Sequence, residues 1–446
     1  MVNRRPLSTV PGLLALALSV SVPAQAGDDP AEVLKRATEK VIANSKTLSN
    51  HTCVETVTRD FFGPAVPTPP RACSAFLAQS LHPATASALQ HLVTDRFRLD
   101  VTLVVGGEIF SWVGASRFDD QGLEHLVNSG PIGTGAFDAF LDVVFRFDAQ
   151  GIRFQKYVLA EGPSLLEYSI EVPKSDSHYL VRLGESWVPI GYSGTFQLNS
   201  ETGEVVRMTI QTAELPALTG QCTAITNLDF GMTTIGGSQF MMPARASQRF
   251  VARDNHEVTN DIAIADCREY RGESTISFPG EPQLPMNRAE TPVKNSLPLP
   301  DDLHFTLELT TPIRSDTAAA GDSFAGRLTR PLRDAKHKVL APAGSVVEGR
   351  LLRVECFHTP PLEVIMVLKL RTLEVNGAKV PLAAVRDWKL ALAAGGNRRK
   401  GWRVALPLQG EQPAAAFEFA GEHVVLKRGM RSDWRTVSSG EVGKER

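Results

Sequence analysis

The segment Phe97-Arg98-Leu99-Asp100-Val101-Thr102-Leu103 alternates strictly between apolar and polar side chains. A period of two sends Phe97, Leu99, Val101 and Leu103 to one face of a strand and the polar residues to the other, so one face is buried and the other wet. Its surroundings follow the same rule. Residues 108–112, after a Gly106-Gly107 turn, form a short partner strand, and 53–58 alternate more loosely. Tyr168, Ile170 and Val172 make a further set, then Tyr179, Val181 and Leu183. Phe196 and Leu198 face Val206, Met208 and Ile210 across a 200–204 turn containing Gly203, which predicts a hairpin with a loop of about five residues. The pattern predicts an antiparallel sheet with one apolar face.

One segment breaks the period. Phe137, Phe140, Leu141, Val144 and Phe145 fall at i, i+3, i+4, i+7 and i+8, with Asp138 and Asp142 directed away from the stripe. This predicts a helix over 137–145 laid on the sheet, with Thr134-Gly135 capping its start. Burying five such side chains contributes about 1.5–3 kcal/mol each as an upper bound. An earlier helix opens at Gly27-Asp28-Asp29-Pro30, where acids suit the dipole and proline suits the first turn. It presents Leu34, Ala37, Thr38 and Val41 on one face, up to Ile42.

Residues 63–70 hold four prolines and read as a loop. Residues 279–300 hold six, keep no periodicity and read as a linker. Strand patterns then resume: Phe305, Leu307 and Leu309 alternate, 346–354 runs through Gly349, and 364–370 is almost continuously apolar. Asn376-Gly377 between two short apolar runs is a hairpin turn. Trp402, Val404 and Leu406, then Phe417 and Phe419, then 424–426 complete a small all-β module, with 395–400 as a basic loop.

The chain has 446 residues, 43% hydrophobic and 22% charged, which excludes collagen, a coiled coil and wholesale disorder. At about 150 residues per domain it holds two or three domains. Formal net charge is −2, and −4 once Arg4 and Arg5 are removed with the leader, so no positive field marks nucleic acid as a main partner. Arg4-Arg5, the run Leu-Leu-Ala-Leu-Ala-Leu-Ser-Val-Ser-Val over 13–22 and Ala24-Gln25-Ala26 form the plan of a secretory signal peptide over 1–26. The run is too short for a span of about 20 residues. A periplasmic or secreted chain with no transmembrane helix is expected.

An oxidising compartment permits disulfides. Cys53, Cys73, Cys222 and Cys267 are the candidates, with three connectivities open. Cys53 with Cys73 would close the proline-rich excursion, and Cys222 with Cys267 would tie two later strands, either bridge stabilising by ~2–4 kcal/mol. Cys356 reads as a buried strand residue. Catalytic motifs are absent: no HExxH, GxSxG, Walker loop or strand-to-helix GxGxxG occurs, and no CxxC. His256-Glu257 beside Asp254-Asn255 reads as a hairpin turn, Asp119-Asp120 and Asp301-Asp302 as solvated loop acids, and Arg398-Arg399-Lys400 as a solvated charge run. No catalytic residue, metal ligand or cofactor is expected.

The order of a leading helix, successive antiparallel hairpins and one inserted apolar helix over 31–278 resembles the LolA/LolB-type periplasmic fold. In that fold a curved half-barrel sheet is closed by helices over a greasy cavity. Phe110-Ser111-Trp112 and Cys267-Arg268-Glu269-Tyr270-Arg271-Gly272-Glu273-Ser274 are similar to phrases in a group of exported acidobacterial-type proteins. Residues 320–328 and 340–350 resemble the β-barrel of TrbI-type conjugation-channel proteins, where Gly344 suits a tight turn and Gly349 a close strand crossing.

The expected fold is therefore α+β and mainly antiparallel β. A curved half-barrel sheet with packed helices occupies 27–278, a linker 279–300, a small barrel-like β domain 301–436 and a flexible tail 437–446. The LolA resemblance implies an apolar lining that handles lipoprotein acyl chains. The expected function is a non-enzymatic exported binding protein. It would hold a lipid or other apolar ligand against Phe97, Leu99, Val101, Trp112, Phe137, Phe140, Leu141, Val144, Tyr168 and Ile170. The alternatives are a structural or assembly module of the cell envelope with a protein partner and, third, a hydrolase whose residues meet only in three dimensions.

Overall fold

The computed structural model describes residues 29–66, 69–70, 72–79, 89–104, 107–115, 118, 122–127, 130–158, 164–269, 299–386 and 411–438. The leader, most of the linker, Asp119-Asp120, the 395–400 loop with Trp402, Val404 and Leu406, and the end of the tail lie outside the described residues.

Helix α1 (Pro30–Leu48) begins where Asp29 Oδ1 accepts from the Ala31 N–H at 3.1 Å, with proline in the first turn. Its buried stripe is Val33, Ala37, Val41, Ser45 and Leu48, so the helix runs on past Ile42 and turns Leu34 and Thr38 to its flank. Next come β1 (His51–Pro64), α2 (Cys73–Gln79), β2 (Leu89–Val104) and β3 (Gly107–Trp112). β1 continues through Gly63 and Pro64, where a loop was expected. A one-turn α3 (Leu123–Leu126) precedes α4 (Ala139–Arg146). The remaining strands of this half are β4 (Ile152–Val158), β5 (Leu165–Val172), β6 (Leu180–Leu183), β7 (Ser186–Pro189), β8 (Tyr192–Asn199) and β9 (Val205–Thr212). The long β10 (Gln221–Ile235), β11 (Ser238–Ala252) and β12 (Glu257–Glu269) complete it.

All but the separate β6–β7 hairpin join one antiparallel sheet in the order β4-β5-β8-β9-β10-β11-β12-β1-β2-β3. The sheet is curved and not closed into a barrel. Register shows why one face is core. Tyr168, Phe196, Met208, Leu228, Ala246, Ile262, Val57 and Phe97 lie opposite one another across eight strands, and all are buried. One residue along, the row reads Ser169, Thr195, Thr209, Asn227, Ser247, Asp261, Thr58 and Arg96. A period-two chain placed in register can give only this outcome, a greasy inner face and a hydroxyl-rich outer one.

The C-terminal half contributes β13 (His304–Leu309), β14 (Ile313–Arg314), β15 (Ser323–Leu328), β16 (Leu332–Arg333), β17 (Val339–Ala341) and β18 (Val346–Phe357). It goes on with β19 (Glu363–Val375), β20 (Ala378–Pro381), β21 (Ala384–Arg386), β22 (Ala415–Ala420), β23 (Val425–Leu426) and β24 (Arg431–Thr436). β24-β13-β15-β18-β19 run antiparallel, β20 and β22 share the far edge of β19, and β21 pairs back onto β24. The order thus curls toward its start around a second core of Leu307, Val347, Met366, Leu373 and Trp434. Gly349 sits where an added Cβ would lie 2.2 Å from the Phe324 ring, the close crossing expected of it.

The halves share a seam that the linker reading did not anticipate. β2 gives one whole edge to β1, while its other edge is divided. Residues 99–104 pair with β3, and Val93, Thr94 and Asp95 pair with Phe357, Cys356 and Glu355 of β18. Between these, Ala320 bridges Phe97, its N–H donating to Arg96 O at 2.8 Å and its carbonyl accepting from Arg98 N–H at 2.7 Å. Arg98 forms an ion pair with Asp322, and Arg350 donates to Val113 O at 2.9 Å.

The disulfides are Cys53–Cys267 and Cys73–Cys222. Neither of the two pairings spelled out from the sequence forms. β1 and β12 are neighbours in the sheet although they open and close the half, and α2 lies against β10. Spatial adjacency, not sequence proximity, chooses the partners. Cys356 is free and half-buried.

Candidate ligand-binding interior

α4 packs against α1 and β3 over the apolar face. Phe97, Leu99, Val101, Phe137, Phe140, Leu141, Val144, Tyr168 and Ile170 all belong to one buried cluster, and half-buried Trp112 packs against it. None of the nine is more than 9% exposed. The helix begins at Ala139 rather than Phe137, yet Phe137 is fully buried from the preceding turn. Aromatic rings tie the helix to its surroundings: Phe145 meets Phe196 of β8 edge-on at 5.2 Å, and Phe140 meets Tyr192 of β8 at 5.7 Å and Tyr179 of the loop before β6 at 5.5 Å. Phe196 in turn stacks on Tyr168 at 5.2 Å, and Tyr168 donates its hydroxyl to Pro30 O at 2.7 Å. Side chains of the helix are thus packed into the cluster on the apolar face of the sheet.

How α4 is held was not legible. Glu108 of β3 reaches its N-terminus, Oε2 accepting from Gly135 N–H at 2.6 Å and Oε1 from Phe137, Asp138 and Ala139 N–H at 2.9, 3.2 and 3.3 Å. A carboxylate thus satisfies the orphan donors of the first turn and meets the positive end of the helix dipole, the task expected of Thr134-Gly135.

Asp138 corrects the sequence reading outright. It points inward, 1% exposed, and accepts from Ser45 of α1, while its Oδ1 is buried without a partner. With the helix starting one residue after it, Asp138 is the N-cap and is drawn under the first turn. Glu55 of β1 is 3% exposed, and its Oε2 is likewise buried and unpartnered, as is Thr52 Oγ1. Burial, reinforced by the neighbouring Glu108, pushes the Glu55 carboxyl up to about 8. Burial also raises Asp138 to about 7 against the pull of Ser45. Glu108 is raised by burial too, but its N–H donors oppose the shift. Glu55 has no such donors, so of this coupled pair Glu55 keeps the proton.

At the other end of α4, Asp148 is fully buried, accepts from the Tyr192 hydroxyl at 2.7 Å and lies 2.6 Å from His178 Nδ1. This pins the helix exit to β8 and to the loop before β6. Among the described residues no three His, Cys, Asp or Glu side chains converge so as to hold a metal ion. A cleft of about 360 Å³ lies on the wet face, lined by Thr56, Thr58, Asn227, Arg245, Ser247 and Asp261 among others, away from the greasy interior.

No family model matches the sequence, and no curated protein does. Solved structures similar to the chain include a domain described as an outer membrane lipoprotein-sorting protein from Vibrio parahaemolyticus, 11% identical, covering 54% of this chain and 95% of that one at a TM-score of 0.27. Another is a DUF1329 family protein from Desulfovibrio piger, 9% identical, with the same coverage and a TM-score of 0.25.

Proposed function

We propose that the protein is a non-enzymatic binding protein that takes an apolar, lipid-like chain against the concave face of its sheet, with α4 as the element that yields. The observation that carries this is the unbroken apolar row from Tyr168 to Phe97, covered by helices rather than by a second sheet. Eight strands at about 4.8 Å spacing make a track on the order of 30 Å long. An eight-residue helix does not hold by itself, so α4 stays in place through its burial and through the Glu108 contacts. A linear chain replaces Phe140, Leu141 and Val144 in kind, apolar surface for apolar surface.

Two disulfides suit an oxidising periplasmic or extracellular setting. No helix among the described residues is long and apolar enough to cross a membrane. In this reading 27–278 forms the carrier domain, 301–436 the module that covers the β2 edge, and the partners are a lipid or lipoprotein acyl chain and an envelope protein. Native mass spectrometry of protein purified from its own envelope, with titration of a fluorescent fatty probe, tests the proposal. Co-purifying lipid and saturable uptake are expected. A ligand-free mass with no uptake overturns it.

A further inference from the structure

Where β18 meets β2, the seam between the halves carries two imidazoles. His91 lies on β2, and His358 follows β18 directly, its N–H donating to Leu92 O at 2.9 Å. Their rings stack across the seam with centroids 4.0 Å apart, and Phe62 of β1 also stacks on His91 at 4.9 Å. Both rings are tied to one hydroxyl. Thr94 Oγ1 lies 2.8 Å from His358 Nε2 and 3.1 Å from His91 Nε2, and it donates its proton to Asp60 Oδ1 at 2.5 Å. A threonine has one such proton, so the Thr94 oxygen accepts from His358 Nε2–H. His91 Nε2 lies 3.0 Å from Asp60 Oδ1 and donates there. Each ring thus keeps its neutral-state proton on Nε2, and a further proton enters at Nδ1 and brings a full charge.

We infer that His91 and His358 form an acid-sensitive latch between the two halves, which holds while at most one ring is charged and releases β18 from residues 93–95 of β2 when both are. Asp60, in contact with His91, answers one imidazolium; a second meets a like charge at the 4.0 Å stacking distance. The other charged groups facing His358 are Glu422 and His423, from the turn between β22 and β23, so acid adds a third imidazolium there against two carboxylates. Burial first and His91 second hold His358 below the ordinary imidazole value of 6.5. Asp95 and Glu355, the next register pair, alternate to the other side of the strands, where Arg59 and Arg353 meet them. Burial raises both of those carboxyls, so on acidification they lose charge rather than gain it. With His358 depressed, the closed seam binds fewer protons than the open one. The latch is therefore at full strength above 6.5 and is lost as pH falls through the lower value of His358. Three register pairs hold β18 to β2, while the Ala320 bridge and the Arg98–Asp322 ion pair lie farther along β2 and keep the halves joined. The opening is local, and it does not depend on the carrier reading.

Amide exchange on the full chain, corrected for its intrinsic pH dependence, tests this at the residue 358 N–H. Between pH 7.5 and 5 its protection should fall at least ~10-fold while the β8–β9 hairpin keeps its own. His358→Gln and His91→Gln keep a side-chain N–H for Thr94 or Asp60 but cannot take a charge, and each should hold the loss under ~2-fold. Ring titration by NMR reads the coupling directly. In the unaltered protein the His358 ring should take up its proton below 6.5, and His91→Gln should move that step upward. A loss of protection that persists in both variants, or that spreads to the β8–β9 hairpin, overturns the latch. So does a His358 step at or above 6.5 in the unaltered protein, or one that His91→Gln leaves in place.

Discussion

Glu55 is a residue whose environment contradicts its chemistry, and the contradiction has a sign. Its carboxyl is raised from 4.5 to about 8, by burial first and by Glu108 second. The folded chain therefore keeps a proton that the unfolded chain has lost. The associated stability is fully present below about 4.5 and is lost as pH climbs toward 8. Thermal unfolding from pH 5 to 8.5 should show a falling Tm, with Glu55→Gln giving a flatter profile and a Tm higher by about 4 °C or more at the alkaline end. Superimposable profiles for the two proteins would remove Glu55 from the account. Cys53 and Val57 are buried on one face of β1, and Glu55 shares that face by parity. Its polarity, though, reads locally as a lapse in the alternation. Its raised carboxyl traces to burial and to Glu108, which no window around residue 55 contains.

At the scale of elements, periodicity and turn chemistry were read well. The β8–β9 hairpin closes where Gly203 predicted it, and Asn376-Gly377 turns β19 into β20 with φ of 51° and 78°, the left-handed pair such a turn demands. α4 was visible from its 3.6-residue stripe, but its anchoring was not. The Glu108 bonds to Gly135, Phe137, Asp138 and Ala139 span 27 to 31 positions, and a strand side chain capping a distant helix leaves no local mark. Glu108→Ala should cost about 1.5–3 kcal/mol. Amide exchange should quicken over 135–146 while the β8–β9 hairpin keeps its protection. Uniform exchange across the whole half would instead mean that α4 has no separate opening.

For the molecule as a whole, the disulfides report what local reading could not. In one dimension all three connectivities of the four cysteines stay open. The fold pairs Cys53 with Cys267 and Cys73 with Cys222, closing loops of 214 and 149 positions. Each such closure restricts the unfolded chain and is worth ~2–4 kcal/mol, so reduction with a thiol should lower Tm by several degrees per bridge. Single Cys→Ala variants at 53 and at 73 should each account for about half of that loss. A Tm indifferent to reductant would show that the strands hold these positions unaided.

The divided edge of β2 also sets an order of events. Thr94 and His358 touch across 264 positions, so the flank of β2 left open by β3 waits for residues made long afterwards. Unpaired strand edges recruit whatever strand comes first, including one from another molecule. A nascent chain stalled short of residue 355 therefore carries an adhesive border that the finished protein lacks, and the first sheet to begin is among the last to be sealed.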